Sequence, residues 1–368
     1  MRLKSFLAKA FVTLALLYGA TATEHAWAAD APACPGLNPD LRKALMFTPD
    51  TVSPQAKAAL DQLAGLFASG GPAAGPTPKT AADWDRLNAS FEGFIEHMDA
   101  PRLAAFSETA RDETLDGVKI IRIGASSSAT DGRILIFVHG GGYTMGSARS
   151  SLLEAVEMAH ATHLPVVSVD YTLVPHGNWR TATEDLVKVY AGLLKEGHKA
   201  NQIGLFGGSA GGGLIGGGVF RLRDEGFPLP GALVLGSPWS DLTETGDSYC
   251  TLANADPILT YAGLKAGADL YADPKDQKNP YVSPVYGDYS KGYPPMLIQG
   301  GTREIFLSNA VRQYQAAISA GQVAVLDLYE GMPHGFQALV PDAPEGRQAR
   351  QRAADFLLAH LTAPESKP

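Results

Sequence analysis

The chain has 368 residues, 45% of them hydrophobic, and a formal net charge of −8. That acidic balance, with no basic cluster against it, argues against a nucleic-acid partner. Two cysteines, Cys34 and Cys250, are too few for a disulfide framework and sit in no thiol-enzyme motif, although in an oxidising compartment they could pair.

Arg2, Lys4 and Lys9 accompany an apolar run from Ala10 to Ala20, and Ala26-Trp27-Ala28 places small residues where a signal peptidase reads. Residues 1–28 therefore predict a signal peptide cut after Ala28, and a periplasmic or secreted protein with no stable membrane insertion after cleavage. The run is short for a bilayer span. An uncleaved anchor is the alternative; a lipid on Cys34 is disfavoured, because that residue lies past the run without a leucine-led lipobox. The remaining ~340 residues suit one large α/β domain with a cap, or two domains.

Residues 29–111 read as helical, with no strand-like run, and are expected to form an N-terminal cap or lid. The loop from Pro72 to Pro78 divides them. Trp84, Leu87, Phe91, Phe94 and Ile95 recur at helical spacing. That stripe serves either to pack on the main domain or to close a site. His97 and Met98 fit a pocket wall or an ordinary structural place.

From residue 112 to the end the texture is that of one catalytic domain. Lys119–Ile123 alternates, as an antiparallel or edge strand does. Arg133–Val138 is a continuous apolar run, the mark of a strand buried on both faces. It ends in His139-Gly140-Gly141-Gly142. A helix is expected from Ser151 to Ala161, a strand over Pro165–Val169, a helix over Thr181–Leu194 and strands over Gln202–Phe206 and Ala232–Leu235. Residues 247–289, rich in Tyr, Asp and Pro, read as an insertion near the site. Its tyrosines Tyr249, Tyr261, Tyr271 and Tyr281 fit either an aromatic pocket or core packing. Pro295–Gln299 resumes the sheet, a helix runs to Ala320, Val323–Tyr329 is the last strand and Gly346–His360 a closing helix. Strands alternating with helices imply an α/β fold, a mainly parallel sheet covered on both faces.

The stretch after Phe206, Gly207-Gly208-Ser209-Ala210-Gly211, is a G-x-S-x-G turn between strand and helix, the nucleophile-elbow pattern. In a chain with 40 glycines the motif needs context. Gly211, Gly213 and Gly216 also fit the G-x-G-x-x-G dinucleotide fingerprint, but that reading leaves the His139 glycine loop, Glu304 and His334 unexplained. Reactive groups collect beyond the carboxyl ends of such strands. There the order glycine loop, Ser209, Glu304, His334 assigns a nucleophile, an acid and a base. Amides of Gly141, Gly142 and Ala210 are candidate oxyanion donors. Asp241, also after a strand, is the rival acid, and His139 is expected to brace its loop. His160 and His163 have a spacing that can bind metal, but no sequence neighbour completes a site. No metal or cofactor is expected.

His139-Gly140-Gly141-Gly142 and the run Gly207–Gly212 resemble the bacterial hormone-sensitive-lipase-like esterases. Asp170–Pro175, Ser237–Asp241, Gly301–Glu304 and Gly331–Phe336 extend the resemblance over residues 117–361. Gly208 and Glu304 stand where many members have Asp. The resemblance implies an α/β-hydrolase fold with an N-terminal helical cap and cofactor-free hydrolysis of small to medium carboxylic esters, aromatic or xenobiotic ones included. A lactonase, amidase or peptidase on the same scaffold is the alternative, and a non-catalytic binding protein the alternative of another class. The oligomeric state stays open, a homodimer among the options.

Overall fold

The computed structural model describes residues 37–45, 47–68, 78–124 and 131–363. The expected leader over 1–28, Cys34 and most of the loop from Pro72 to Pro78 lie outside them. Among the described residues no helix is long and apolar enough to cross a membrane.

Among the described residues three helices come first, α1 (Pro39–Leu45), α2 (Pro54–Ala68) and α3 (Ala81–Leu103). Thr80 caps α3 by accepting from the Asp83 amide while Asp83 accepts in return, a capping box that fixes the start of the predicted stripe. Trp84 is buried, whereas Leu87, Phe91, Phe94 and Ile95 are only half-covered and His97 and Met98 are exposed.

The next element corrects the sequence reading. A strand, β1 (Thr109–Leu115), begins inside the segment expected to be helical and pairs antiparallel with β2 (Val118–Gly124). Its Thr-Ala-Arg-Asp-Glu-Thr-Leu sequence is polar because it is an edge strand with little burial. The turn holds the missed signal: Asp116 and Gly117 both take positive φ, 49° and 87°, as an Asp-Gly hairpin requires. The sheet boundary therefore falls near 109 rather than 112.

The sheet continues with β3 (Ile134–Val138), β4 (Val166–Val169), β5 (Ile203–Gly208), β6 (Ala232–Gly236), β7 (Met296–Arg303) and β8 (Ala324–Pro333). Its eight strands run in the order β1-β2-β4-β3-β5-β6-β7-β8, with β2 antiparallel to both neighbours and the rest parallel. Every residue of β3 and β4 is buried, Ser168 of β4 included, as in strands that lie between two helical layers. Helices α4 (Leu152–Thr162) and, at the chain's end, α11 (Pro344–His360) pack with one face around Phe137, Phe206 and Val234. Helices α5 (Trp179–Lys195), α6 (Ala210–Asp224) and α9 (Leu307–Ser319) cover the other.

Within the insertion lie α7 (Ser248–Thr251) and α8 (Tyr261–Tyr271). Tyr249 and Tyr271 are core residues, Tyr271 stacking on Tyr143 at 3.6 Å, while Tyr261 is exposed. Core packing is thus the reading that holds for the first two. A short α10 (Phe336–Leu339) precedes α11.

Candidate active site

Helix α6 explains the glycine run. A Cβ on Gly211 would stand 2.1 Å from the Val138 carbonyl oxygen, one on Gly213 2.3 Å from that of Trp239, and one on Gly217 2.0 Å from that of Tyr281. No side chain fits at those distances, so the helix lies directly against neighbouring backbone on several sides. Gly211 and Gly213 of the dinucleotide fingerprint are accounted for by this packing, and its third glycine, Gly216, by the Pro284 ring, which a Cβ there would meet at 2.8 Å.

Between β5 and α6 the backbone turns through Ser209 at φ 54° and ψ −123°, a strained conformation for a residue with a Cβ. The end of β6 and the loop directly after it hold it there. The Ser209 amide donates to the Gly236 carbonyl at 2.8 Å, and the Trp239 amide donates to the Ser209 carbonyl at 2.9 Å. The hydroxyl therefore stands at the carboxyl end of the sheet.

His334, just past β8, puts Nε2 3.0 Å from Ser209 Oγ and Nδ1 2.9 Å from Glu304 Oε2. Glu304 is fully buried and follows β7. Its other oxygen accepts from the Gly301 amide at 2.7 Å and from the Ser237 hydroxyl at 3.1 Å. Three donors thus leave the carboxylate one orientation. Glycines 300 and 301 are required here. A Cβ on the first would lie 2.6 Å from Glu304 Oε1, and one on the second 1.9 Å from the Met332 carbonyl oxygen. Phe306 meets the His334 ring edge-on at 5.0 Å, which limits its rotation.

Asp241 is elsewhere. It is buried, ion-paired with Arg312 and bonded to the Thr243 amide and hydroxyl, and has no bond to His334 among the described contacts. The sequence order assigns the acid to Glu304 with Asp241 as its rival; the structure brings Glu304, not Asp241, to the histidine.

The glycine loop lies against the elbow: a Cβ on Gly140 would be 3.3 Å from Ser209 Cβ. Gly141 and Gly142 have φ of 103° and 62°. A side chain on Gly141 would also strike the Met145 carbonyl at 1.9 Å. This close turn carries the Gly141 and Gly142 amides, and Ala210 is the first residue of α6 beside them. His139 does brace the loop. It is fully buried, stacks on Tyr171 at 4.3 Å, and its Nδ1 lies 2.8 Å from the Gly140 carbonyl. Burial lowers its pKa to about 4, so it stays neutral.

Three supporting residues escaped the sequence reading as individuals. Ser237 sits in a noted stretch, but its link from Glu304 to the Gly335 amide has no sequence signal. Asp256, in the insertion, accepts from the Ile258, Leu259 and Ile305 amides and so ties that insertion to the acid loop. Asn88 of α3 accepts from the Gly146 amide at 2.7 Å, in the same loop as the candidate oxyanion donors. The N-terminal segment also reaches the far side of the site. Arg303 donates to the Leu45 carbonyl, and Ser53 bonds Glu345 through its amide and hydroxyl. His160 pairs with Glu108, and its ring lies 6.4 Å from that of His163. Among the described residues no group of three potential ligands that could hold a metal is found. Cys250 is disulfide-bonded.

Residues 135–338 match the sequence model of the alpha/beta hydrolase fold. An acetyl-hydrolase of Streptomyces hygroscopicus is 37% identical over 227 residues, 62% of this chain and 76% of that protein. An esterase of Acinetobacter venetianus is 33% identical over 243 residues, 66% of this chain and 79% of that protein. Among solved structures, an esterase from the bacterial hormone-sensitive lipase family superposes with a TM-score of 0.75 at 33% identity, covering 84% of this chain and 99% of its own. Esterase E25 superposes with a TM-score of 0.76 at 31% identity, covering 86% and 96%.

Proposed function

The chain belongs to the α/β-hydrolase fold family and, within it, to the bacterial hormone-sensitive-lipase-like esterases, and from that premise we propose that it is a serine carboxylesterase with Ser209 as nucleophile. The observation that carries the assignment is the unbroken line from Ser209 Oγ through His334 to Glu304.

Ser209 Oγ attacks the ester carbonyl carbon, and its proton passes to His334 Nε2. The carbonyl oxygen becomes an oxyanion held by the amides of Gly141, Gly142 and Ala210. Glu304 accepts from His334 Nδ1, which keeps Nε2 free to take the proton and stabilises the imidazolium. The tetrahedral intermediate collapses, the C–O bond to the alcohol breaks, and the alcohol leaves with the proton from His334. Water then attacks the acyl-enzyme, gives a proton to His334, and the acid is released as Ser209 regains its hydrogen. No step calls for a cofactor. The leader over residues 1–28 supports export to the periplasm or beyond.

Matched substrates test the bond specificity. Phenyl acetate and acetanilide share an acyl group and differ in the scissile bond. Turnover of the ester at least about a hundredfold above the amide is expected. A faster amide would make the protein an amidase. Folded protein that turns over no ester, lactone or amide would mean a binding role.

A further inference from the structure

We propose that Ser237 is a positioning residue of the triad: its hydroxyl ties Glu304 to the backbone beside His334 and keeps the base in line while it protonates the leaving alcohol. The inference deepens the esterase reading above and rests on it. Ser237 follows β6 directly and is buried. Its hydroxyl donates to Glu304 Oε1 at 3.1 Å and accepts from the Gly335 amide at 3.3 Å. Glu304 Oε2 accepts from His334 Nδ1 at 2.9 Å, and a peptide bond joins His334 to Gly335. These links close a ring, from imidazole to carboxylate to hydroxyl to amide and back to His334. The histidine is thereby referred to one carboxylate twice, through its side chain and through its backbone.

The backbone of Ser237 is unfavourable for the residue it carries. Its φ is 42°, in the left-handed region, where glycine is the low-cost choice. A glycine would make the same turn and bring no hydroxyl. Such strain persists where surrounding contacts impose it, and here they do. The Ser237 amide donates to the Gln299 carbonyl at 2.6 Å, and one residue earlier the Gly236 carbonyl accepts from the Ser209 amide at 2.8 Å. One short turn therefore holds the backbone of the nucleophile, the carboxylate of the acid and the loop of the base. Among the described contacts the one ion pair of Glu304 is with His334, and it exists only while the ring carries the extra proton. A cation in place of Ser237 would compete with the imidazolium for that carboxylate. A neutral hydroxyl holds the carboxylate by a charge-assisted bond and does not compete for its charge.

The test compares ethyl acetate with 4-nitrophenyl acetate in wild type, Ser237→Ala and Ser237→Gly. Both esters give the same acyl-enzyme, so kcat/KM isolates the step that forms it. Ethoxide is a poor leaving group and needs the proton from His334, whereas 4-nitrophenolate leaves without one. Ser237→Gly removes the same hydroxyl as Ser237→Ala and also relieves the positive φ, so it serves where the alanine variant fails to fold. Each folded variant should lose at least about tenfold more kcat/KM on ethyl acetate than on 4-nitrophenyl acetate, a part of what general acid–base catalysis supplies. Thermal unfolding of the same samples should place Ser237→Gly level with Ser237→Ala or above it. A merely structural contact lowers the folded fraction and both esters alike, so an unchanged ratio of the two esters in the folded variants overturns the proposal. A Ser237→Gly protein that does not fold overturns it too, because the hydroxyl would then hold the fold and not the triad. A wild type inactive on both esters would instead refute the esterase reading itself.

Discussion

Replacing Glu304 by Gln separates the acid of the proposed triad from its structural rival. The carboxylate accepts from the Gly301 amide, the Ser237 hydroxyl and His334. A glutamine keeps its oxygen for the first two and turns its NH₂ toward Nδ1. Nδ1 must then be the acceptor, the ring proton moves to Nε2, and the imidazole donates to Ser209 when it should accept. The same substitution of acid by amide in a triad costs about 10⁴ in turnover, or about 5 kcal/mol of transition-state stabilisation. Asp241→Asn should behave oppositely. It removes the charge that Arg312 pairs with and leaves the bonds to Thr243 largely available. Breaking a buried pair costs about 3–5 kcal/mol. The Arg312 side chain is 31% exposed, which brings the expected loss to about 2–4 kcal/mol. The assay is kcat per folded molecule, with thermal unfolding on the same samples. Glu304→Gln should melt near wild type and be nearly inactive. Asp241→Asn should melt several degrees lower and keep most of its turnover. A folded, inactive Asp241→Asn beside an active Glu304→Gln would refute the acid assignment.

Three further outcomes follow from contacts away from the triad. Asn88→Ala leaves the buried Gly146 amide without its acceptor, a loss of about 1–3 kcal/mol, and should lower kcat about tenfold with less change in KM; Asn88→Asp, which keeps the acceptor, should recover most of it. Gly217→Ala puts a Cβ 2.0 Å from the Tyr281 carbonyl oxygen and should cost about 1–3 kcal/mol, whereas Gly93→Ala in α3, with nothing within 4 Å, should stabilise by about 0.5–1 kcal/mol; chemical denaturation checks both. Burial, reinforced by Asp241 and Asp269 against Lys265, raises the Glu244 pKa to about 8. A raised carboxyl contributes stability that is complete below about pH 4.5 and lost as pH rises through 8. Glu244→Gln should therefore melt above wild type at pH 9 and show no such advantage at pH 5, and a parallel pH dependence of the two proteins would contradict this.

The parts of the site that were legible in the sequence are those where one backbone requirement has few chemical solutions. Ser209 needs glycines around a strained turn, and the His139 loop needs glycines at positive φ. Glu304 and His334 follow strands whose apolar runs are unmistakable. The choice of acid is legible only as a preference for Glu304, because Asp241 also follows a strand, and it is the three-dimensional course of β7 and the loop after β8 that brings Glu304 to His334. Strand β1 was missed because an edge strand has no need of the apolar pattern that marks its neighbours, although Asp116-Gly117 announced the hairpin. Asn88 and Asp256 were invisible for another reason: each acts on a backbone amide, and no residue type at the other end records the contact.

The central claim is that Ser209 performs covalent catalysis. Stoichiometric reaction with a fluorophosphonate, followed by peptide mass spectrometry and ester turnover on the same sample, tests it directly. The expected result is one adduct, on the peptide that carries Ser209, with turnover lost in proportion to labelling, and neither labelling nor turnover in Ser209→Ala. Full ester turnover by purified Ser209→Ala, or an inactivating adduct on another residue, would contradict it.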